Sequence, residues 1–252
     1  MIYFKSLKEI ESIRAAGLVV AEVLSELKDR LVPGITTKDL DLWAAESIHK
    51  KGGKSADLGY HGYPAHICVS VNEQLVHGIP SGRVINEGDI VSIDVTVIKN
   101  GWHGDAAVTI IVGNPDAIPE SHQRLVKVTA DSLSLGIEQA VVGNRIGDIS
   151  HAVQSYVEKH GFSVIREMIG HGIGRSMHED PPVPNYGSPG RGPRLLEGMV
   201  LAIEPMVSMG RPDIRVLDDG WTVVMKDGMP SAHFEHTVAV TKDGPVILTS
   251  LN

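Results

Sequence analysis

"VPGITTKDLDLWAAESIHKKG", residues 32–52, has a second version further along the chain, "VVGNRIGDISHAVQSYVEKHG", residues 141–161. At an offset of 109, Val32, Gly34, Asp39, Lys50 and Gly52 fall on the identical residues Val141, Gly143, Asp148, Lys159 and Gly161. Leu40 and Ile48 fall on the similar Ile149 and Val157. Each copy reads as a turn, a helix capped near its aspartate, and a stop at glycine. At an offset of 110, "EGDIVSIDV" (87–95) lies over "EGMVLAIEP" (197–205), so Asp94 falls on Glu204. At the same offset His61-Gly62 falls on His171-Gly172. Three matches at nearly one offset imply an internal duplication. The expectation is one domain over 1–252, made of two α/β halves, roughly 1–115 and 120–252, related by a pseudo-twofold axis.

Periodicity supports this division. Residues 7–30, 38–51, 120–141 and 147–160 repeat their apolar positions at helical spacing. Residues 66–72, 90–99, 102–112, 163–169, 199–208, 221–226 and 233–241 read as strands. Helices come first and strands follow in each half. That order predicts an α+β fold with helices covering one face of antiparallel sheets, whereas a parallel doubly wound sheet would alternate the two. The Pro/Gly-rich "DPPVPNYGSPGRGPR", 180–194, is expected to be a surface loop.

Composition narrows the function class. A chain of 252 residues fits one hydrophobic core or two fused similar halves. The net charge of −8 argues against a broad nucleic-acid or anionic-membrane surface. Cys68 is the single cysteine, so an internal disulfide is impossible and a cytoplasmic setting is expected. "MIYFKSLKEIESIRAAG" lacks the apolar core of a signal peptide, and no run of 18 apolar residues exists to span a membrane.

The chemistry is concentrated in acidic residues inside strand-like runs. In "DIVSIDVTVIKNGWHGDAAVTIIV" (89–112), Asn100-Gly101 is a strong hairpin signal. With those two residues as the turn, Asp105 lies opposite Thr96. Asp94 and Asp105 then share a face as diagonal neighbours, and a cation between them would relieve their repulsion. This hairpin alone equally allows both to face solvent. The second half tips the balance. Glu204 sits in "MVLAIEPMV", too apolar to have a polar face, and Glu235 sits in the strand-like "AHFEHTVAVT". By the repeat, Glu204 is the counterpart of Asp94 and Glu235 that of Asp105. Charged residues are rarely buried unless paired or ligating metal. Four carboxylates with His171 suit a pair of divalent first-row ions such as Mn²⁺, Fe²⁺ or Co²⁺. A structural zinc site would want thiolates. Two such ions can activate water and hold both ends of a hydrolytic transition state.

Taken in order, "YHGYPAHICVSVNEQLVHGIP" (60–80), "SIDVTVIKNGWHGDAA" (92–107), "IGHGIGRSMHEDP" (169–181), "VLAIEPMV" (200–207) and "HFEHTVAVT" (233–241) resemble the type I methionine aminopeptidases of bacteria. The resemblance covers nearly the whole chain. It implies the pita-bread α+β fold. It implies a dinuclear metallo-aminopeptidase that removes initiator methionine from nascent proteins and prefers a small second residue. By the resemblance, the metal ligands are Asp94, Asp105, His171, Glu204 and Glu235, holding two divalent ions (Co, Mn, Fe or Zn). Asp105 and Glu235 would bridge the ions, His171 and Glu204 would complete one site, and Asp94 the other. His178 would reach the scissile carbonyl, His77 would touch substrate from the opposite wall, and Glu204 would shuttle protons. Tyr60, Tyr63, Cys68, Met177 and Trp221 fall on methionine-pocket positions. The chain has no room for the long insertion of the type II branch and lacks a cysteine-rich N-terminal extension. The expected partners are nascent N-termini near the ribosome, with no membrane, no nucleic-acid specificity and a monomeric state.

Two residues depart from the family pattern. Asp57 stands where relatives carry a small uncharged residue, and Met177 where many carry Phe. A carboxylate in an apolar thioether pocket is costly, so Asp57 is expected at the rim or pointing to solvent. The histidines at 49, 61, 66, 103, 122, 151, 160, 233 and 236 are expected to be structural or superficial. His61, the repeat partner of His171, is the one to watch. Cys68 reads as a packed pocket residue. The competing functions are a proline-specific peptidase of the same fold, which usually carries a further N-terminal domain, and a non-catalytic peptide- or ribosome-binding module, which would have lost ligands.

Overall fold

A computed structural model describes residues 1–114, 116 and 118–251 of the chain, so positions 115 and 252, where the expected halves end, lie outside the described residues. The helices are α1 (Leu7–Arg30), α2 (Thr37–Lys50), α3 (Glu120–Glu138) and α4 (Ile146–Lys159). The strands are β1 (Lys54–Ser55), β2 (Cys68–Val71), β3 (Gln74–Val76), β4 (Ile90–Lys99), β5 (Trp102–Ile111), β6 (Ser163–Val164), β7 (Gly170–Gly172) and β8 (Glu179–Val183). They continue with β9 (Val200–Ile203), β10 (Met206–Ser208), β11 (Ile214–Val216), β12 (Val223–Met225), β13 (Ser231–His233), β14 (Glu235–Thr241) and β15 (Gly244–Ile247).

The residues that align across the repeat take the same local roles. Asp39 accepts the backbone N–H of Thr36 at 2.7 Å, and Asp148 accepts that of Arg145 at 2.7 Å. Each satisfies a donor at the helix entry, which is why α2 and α4 begin where they do. Gly52 and Gly161, just past the ends of these helices, have φ of 71° and 83°, a left-handed conformation that glycine adopts without strain. The chain then ties down in parallel ways: Gly34 N–H donates to Ile85 O, and Gly143 N–H to Leu195 O.

A nine-stranded antiparallel sheet runs through the molecule in the order β1-β4-β5-β14-β9-β7-β8, with β2 also on β4 and β15 on β14. One face is covered by helices. Val20, Val23 and Leu27 of α1 and Leu40, Ala44 and Ile48 of α2 pack on Ile93, Val95 and Val97 of β4. Leu133 and Ile137 of α3 and Ile146 and Ile149 of α4 pack on Leu201, Ile203, Val238 and Val240. The alternate residues of the same strands, among them Asp94, Thr96, Ala202 and Thr237, turn to the opposite face. The fold class is the α+β arrangement expected. No helix among the described residues is long and apolar enough to cross a membrane.

Some expected elements differ. The stretch 163–169 keeps only β6 as strand. The stretch 199–208 breaks at Glu204-Pro205 into β9 and β10, and 233–241 breaks at Phe234 into β13 and β14. At the first break the chain leaves the large sheet for a small one of order β13-β10-β6, and at the second it returns from the small sheet to the large one. The expected surface loop at 180–194 opens instead as an edge strand, β8, with Pro181 and Val183 buried and the strand paired to β7. Proline is tolerated there because an edge strand has one row of N–H groups with no ladder partner to serve.

Candidate active site

The hairpin register puts the acidic residues in two adjacent rows on the uncovered face. Lys99 pairs with Trp102 around Asn100-Gly101, so Thr96 pairs with Asp105 and Asp94 with Ala107. Cys68 pairs with Asp94 on the other side, and Glu235 with Ala107. One row therefore runs Cys68, Asp94, Ala107, Glu235. His236 pairs with Ile203, so Glu204, the next residue past β9, falls beside Glu235. The second row, two residues along each strand, holds Thr96, Asp105, Thr237, Ala202 and His171. Thr237 stitches this row: its hydroxyl donates to Asp105 O at 2.8 Å and accepts the Asp105 N–H at 3.0 Å. Each half of the chain thus delivers two carboxylates to one face.

His171 arrives on β7, a strand squeezed between β8 and β9. A Cβ on Gly170 would stand 2.3 Å from Ala202 O, and one on Gly172 would stand 2.2 Å from Asp180 O. Only glycine fits on either side of the histidine, which accounts for the Gly-His-Gly sequence. His171 Nδ1 donates to Gly172 O at 2.9 Å, leaving Nε2 unprotonated toward the cleft.

Asp105, His171 and Glu235 are all buried and each offers a donor atom within 4.8 Å of the others. Asp94 and Glu204 line the same cleft, with Glu204 Oε1 3.5 Å from His171 Nε2. Glu235 Oε1 is buried with no hydrogen-bond partner among the described residues. Burial first, then mutual repulsion, pushes the carboxyls of Asp94, Glu204 and Glu235 well up, and burial pushes Asp105 up to about 7. Burial, then neighbouring His178, lowers His171 to about 4. Like charges crowded this closely are unstable without a cation among them. The donors are hard oxygens and a neutral imidazole nitrogen, so the residues fit divalent ions of the first transition row.

The other expected site residues gather around the same cleft, which holds about 600 Å³ of empty space including its open mouth. Tyr60, Tyr63, Cys68, His77, Met177, His178 and Trp221 all line it. Tyr63 stands edge-on to Trp221 with ring centroids 5.1 Å apart, and its hydroxyl donates to Ile67 O and Gly78 O. The His178 ring lies against that of His171, centroids 4.3 Å apart and planes tilted by 56°, and its Nδ1 lies 2.7 Å from the Tyr60 hydroxyl. His77 faces the edge of Trp221 at 6.3 Å and holds a positive φ of 57°. His61 stays outside the cleft lining, exposed and edge-on to Tyr60.

Asp57 corrects an expectation. Its carboxylate does not point to solvent; it lines the cleft beside Tyr63 and Cys68 and accepts the backbone N–H of Thr96 at 3.3 Å. Burial, then Asp105, pushes it well above the usual carboxylate range. Its position follows from β1, a two-residue strand that pairs with β4 and carries residue 57 over the end of Thr96. His233 is a second residue that the sequence reading left as structural. It is buried beside Glu204, its Nε2 3.7 Å from Glu204 Oε2. The available signal was parity: in extended chain, residue 233 faces the same side as residue 235.

Known proteins resemble this chain over nearly its whole length. The model for metallopeptidase family M24 matches residues 11–242. A methionine aminopeptidase of Clostridium perfringens is 53% identical over 249 residues, covering 99% of both chains. The crystal structure of methionine aminopeptidase from Thermotoga maritima superposes with a TM-score of 0.97 at 49% identity, covering 99% of this chain and 100% of the other. A prolidase from Pyrococcus horikoshii shares the fold, with a TM-score of 0.79 at 22% identity, but this chain spans only 64% of it. The sheet with helices on one face is the pita-bread arrangement. The chain belongs to metallopeptidase family M24, among its methionine aminopeptidases.

Proposed function

We propose that this protein is a dinuclear metal-dependent aminopeptidase that removes the initiator methionine from nascent chains, preferring a small second residue. The observation that carries the reading is the convergence of Asp105, His171 and Glu235 from both halves on one buried point, with Asp94 and Glu204 beside it. The whole of 1–252 acts as one catalytic domain whose halves each contribute a pair of carboxylates. Asp105 and Glu235 would bridge two divalent ions, His171 and Glu204 would complete one site, and Asp94 the other. Cobalt, manganese, iron and zinc all accept such donors. When bound, the ions supply Lewis acidity that lowers the pKa of water and polarises a peptide carbonyl.

The chain's own residues do the rest. Tyr63, Cys68, Met177 and Trp221 would hold the methionine side chain by burying it. The Tyr60 hydroxyl lies 2.7 Å from His178 Nδ1, and by donating to it would hold the tautomer with the proton on Nε2. Burial lowers the pKa of His178, so the ring is neutral at pH 7 and can donate that proton's hydrogen bond to the carbonyl oxygen as negative charge develops. His77 would contact the substrate from the facing wall. Glu204, raised by burial and by Asp105, is suited to take a proton from the attacking water and pass it to the leaving amine.

The setting proposed is the cytoplasm, with a monomer acting on N-termini as they emerge near the ribosome. Two measurements test the reading. Calorimetric titration of metal-free protein with Mn²⁺ or Co²⁺ should reach two ions per chain, and a stoichiometry of one would remove the dinuclear assignment. Met-Ala-Ser and Met-Gly-Ser should be cleaved far faster than Met-Leu-Ser, and equal rates would remove the second-residue preference.

A further inference from the structure

His233 ends β13, paired with Met206 of β10, and is buried against the cleft wall. Its backbone is fixed without help from its ring. Thr109 Oγ donates to His233 O at 2.6 Å and accepts the His233 N–H at 2.9 Å, and Ser92 Oγ holds the Thr109 hydroxyl at 2.8 Å. An apolar side chain would serve packing here equally well, and cheaply, since a buried imidazole nitrogen without a partner is costly. Yet His233 Nε2 has no hydrogen-bond partner among the described residues. The nearest acid is Glu204, with Oε2 3.7 Å from His233 Nε2 and Oε1 3.5 Å from His171 Nε2. Glu204 lies at the break between β9 and β10, where no ladder constrains the direction of its side chain. Its backbone carbonyl is held by Asn185 Nδ2 at 2.9 Å, which fixes the main chain but not the carboxylate.

We propose that His233 is a positioning residue for Glu204: its Nε2–H donates to Oε2 and so keeps Oε1 turned toward His171 and the metal-binding face of the cleft. The 3.7 Å separation closes to a hydrogen bond by a small side-chain rotation of Glu204. This role rests on the proposed metal centre, and it explains why a polar ring stands where the packing needs none. Carboxylates that ligate metal are commonly held by such outer hydrogen bonds, and losing one typically costs ~10–100-fold in metal affinity or activity.

The test uses the full chain with two variants, His233→Leu and His233→Gln. Glutamine can offer an amide N–H in the same direction; leucine fills the space and offers none. His233→Leu should weaken one of the two Mn²⁺ binding events by ~10–100-fold by calorimetry and lower kcat on Met-Ala-Ser by a similar factor, with KM within about threefold. His233→Gln should restore both to within about fivefold of the parent protein. In a Glu204→Gln background, His233→Leu should add no further loss of metal affinity, since the carboxylate it serves is gone. Parent-like metal binding in His233→Leu would overturn the proposal. So would a glutamine variant as impaired as leucine with an equal drop in Tm, which would mark a packing role. If the parent protein binds metal but does not cleave Met-Ala-Ser, the functional reading fails while the calorimetric arms still decide the role of His233.

Discussion

Asp105 stands where four other carboxylates can feel it, and its raised pKa of about 7 reflects removal from water in the absence of a counter-charge. Its proposed bridging role separates it from Asp94. Asp105→Asn should abolish both metal-binding events together, whereas Asp94→Asn should weaken one; loss of a single event in both variants would contradict the ligand assignment. His178→Ala should bind metal as the parent does while losing ~10²–10³ in kcat, the usual cost of removing one oxyanion donor. A variant that no longer holds metal would make His178 a ligand instead. Asp57 adds a carboxyl group at the wall beside Tyr63 and Cys68, a polar group that penalises an apolar thioether and, once ionised by a nearby cation, offers a partner to a basic side chain. Asp57→Ser should raise kcat/KM on Met-led tripeptides by roughly tenfold, a modest share of the cost of burying an unpaired polar group, and lower it on Lys-led ones. Equal changes on both would show that the carboxylate does not face the N-terminal side chain. The candidate carboxylates were legible as charge in apolar strands, and the resemblance added His171 to the proposed ligand set. It misplaced Asp57 because the two-residue strand β1, which aims that side chain, leaves no periodic trace.

At the scale of elements, the β4–β5 hairpin was fully legible. Asn-Gly fixes a tight turn, the turn fixes the register, and the register pairs Thr96 with Asp105. The β7–β8 pair was not. Three residues of Gly-His-Gly carry no alternation, and β8 contains two prolines, so backbone closeness rather than side-chain pattern defines both strands. A buried ion pair anchors this corner: Lys5 Nζ lies 2.7 Å from Glu179 Oε2, with both side chains nearly out of solvent. Burial alone would raise Glu179, but Lys5 and the Ser176 N–H hold it below its ordinary value of 4.5. A lowered carboxylate pKa stabilises the fold above the ordinary value and loses that contribution as pH falls through the lowered one. Lys5→Met should therefore cost ~3–5 kcal/mol by urea unfolding at pH 7, the usual cost of stranding a buried charge. The gap to the parent protein should narrow as pH falls below 4.5 and through the lowered pKa of Glu179. A gap independent of pH would show that Lys5 contributes packing rather than charge.

Across the whole molecule, the duplication was the most informative feature of the sequence. It set Asp94 against Glu204 and implied that both halves face one point, a relation no local pattern could reveal. The same symmetry argument gave His61 as the partner of His171, yet the two differ in fact: His61 lies in a short turn with a positive φ of 46°, exposed, while His171 is buried on a strand. The repeat predicts backbone roles well because both copies obey the same caps and turns, and side-chain roles less well because the two halves have diverged in the cleft. The central claim is that these five ligands serve metal-dependent removal of an N-terminal methionine. It is tested most directly by hydrolysis of Met-Ala-Ser, Leu-Ala-Ser and Ala-Pro by the purified protein, metal-free after chelation and again after adding Mn²⁺ or Co²⁺. The account predicts cleavage of Met-Ala-Ser alone among the three, absent without metal and restored with it. Undiminished cleavage by the metal-free protein, or faster cleavage of Ala-Pro than of Met-Ala-Ser, would contradict it.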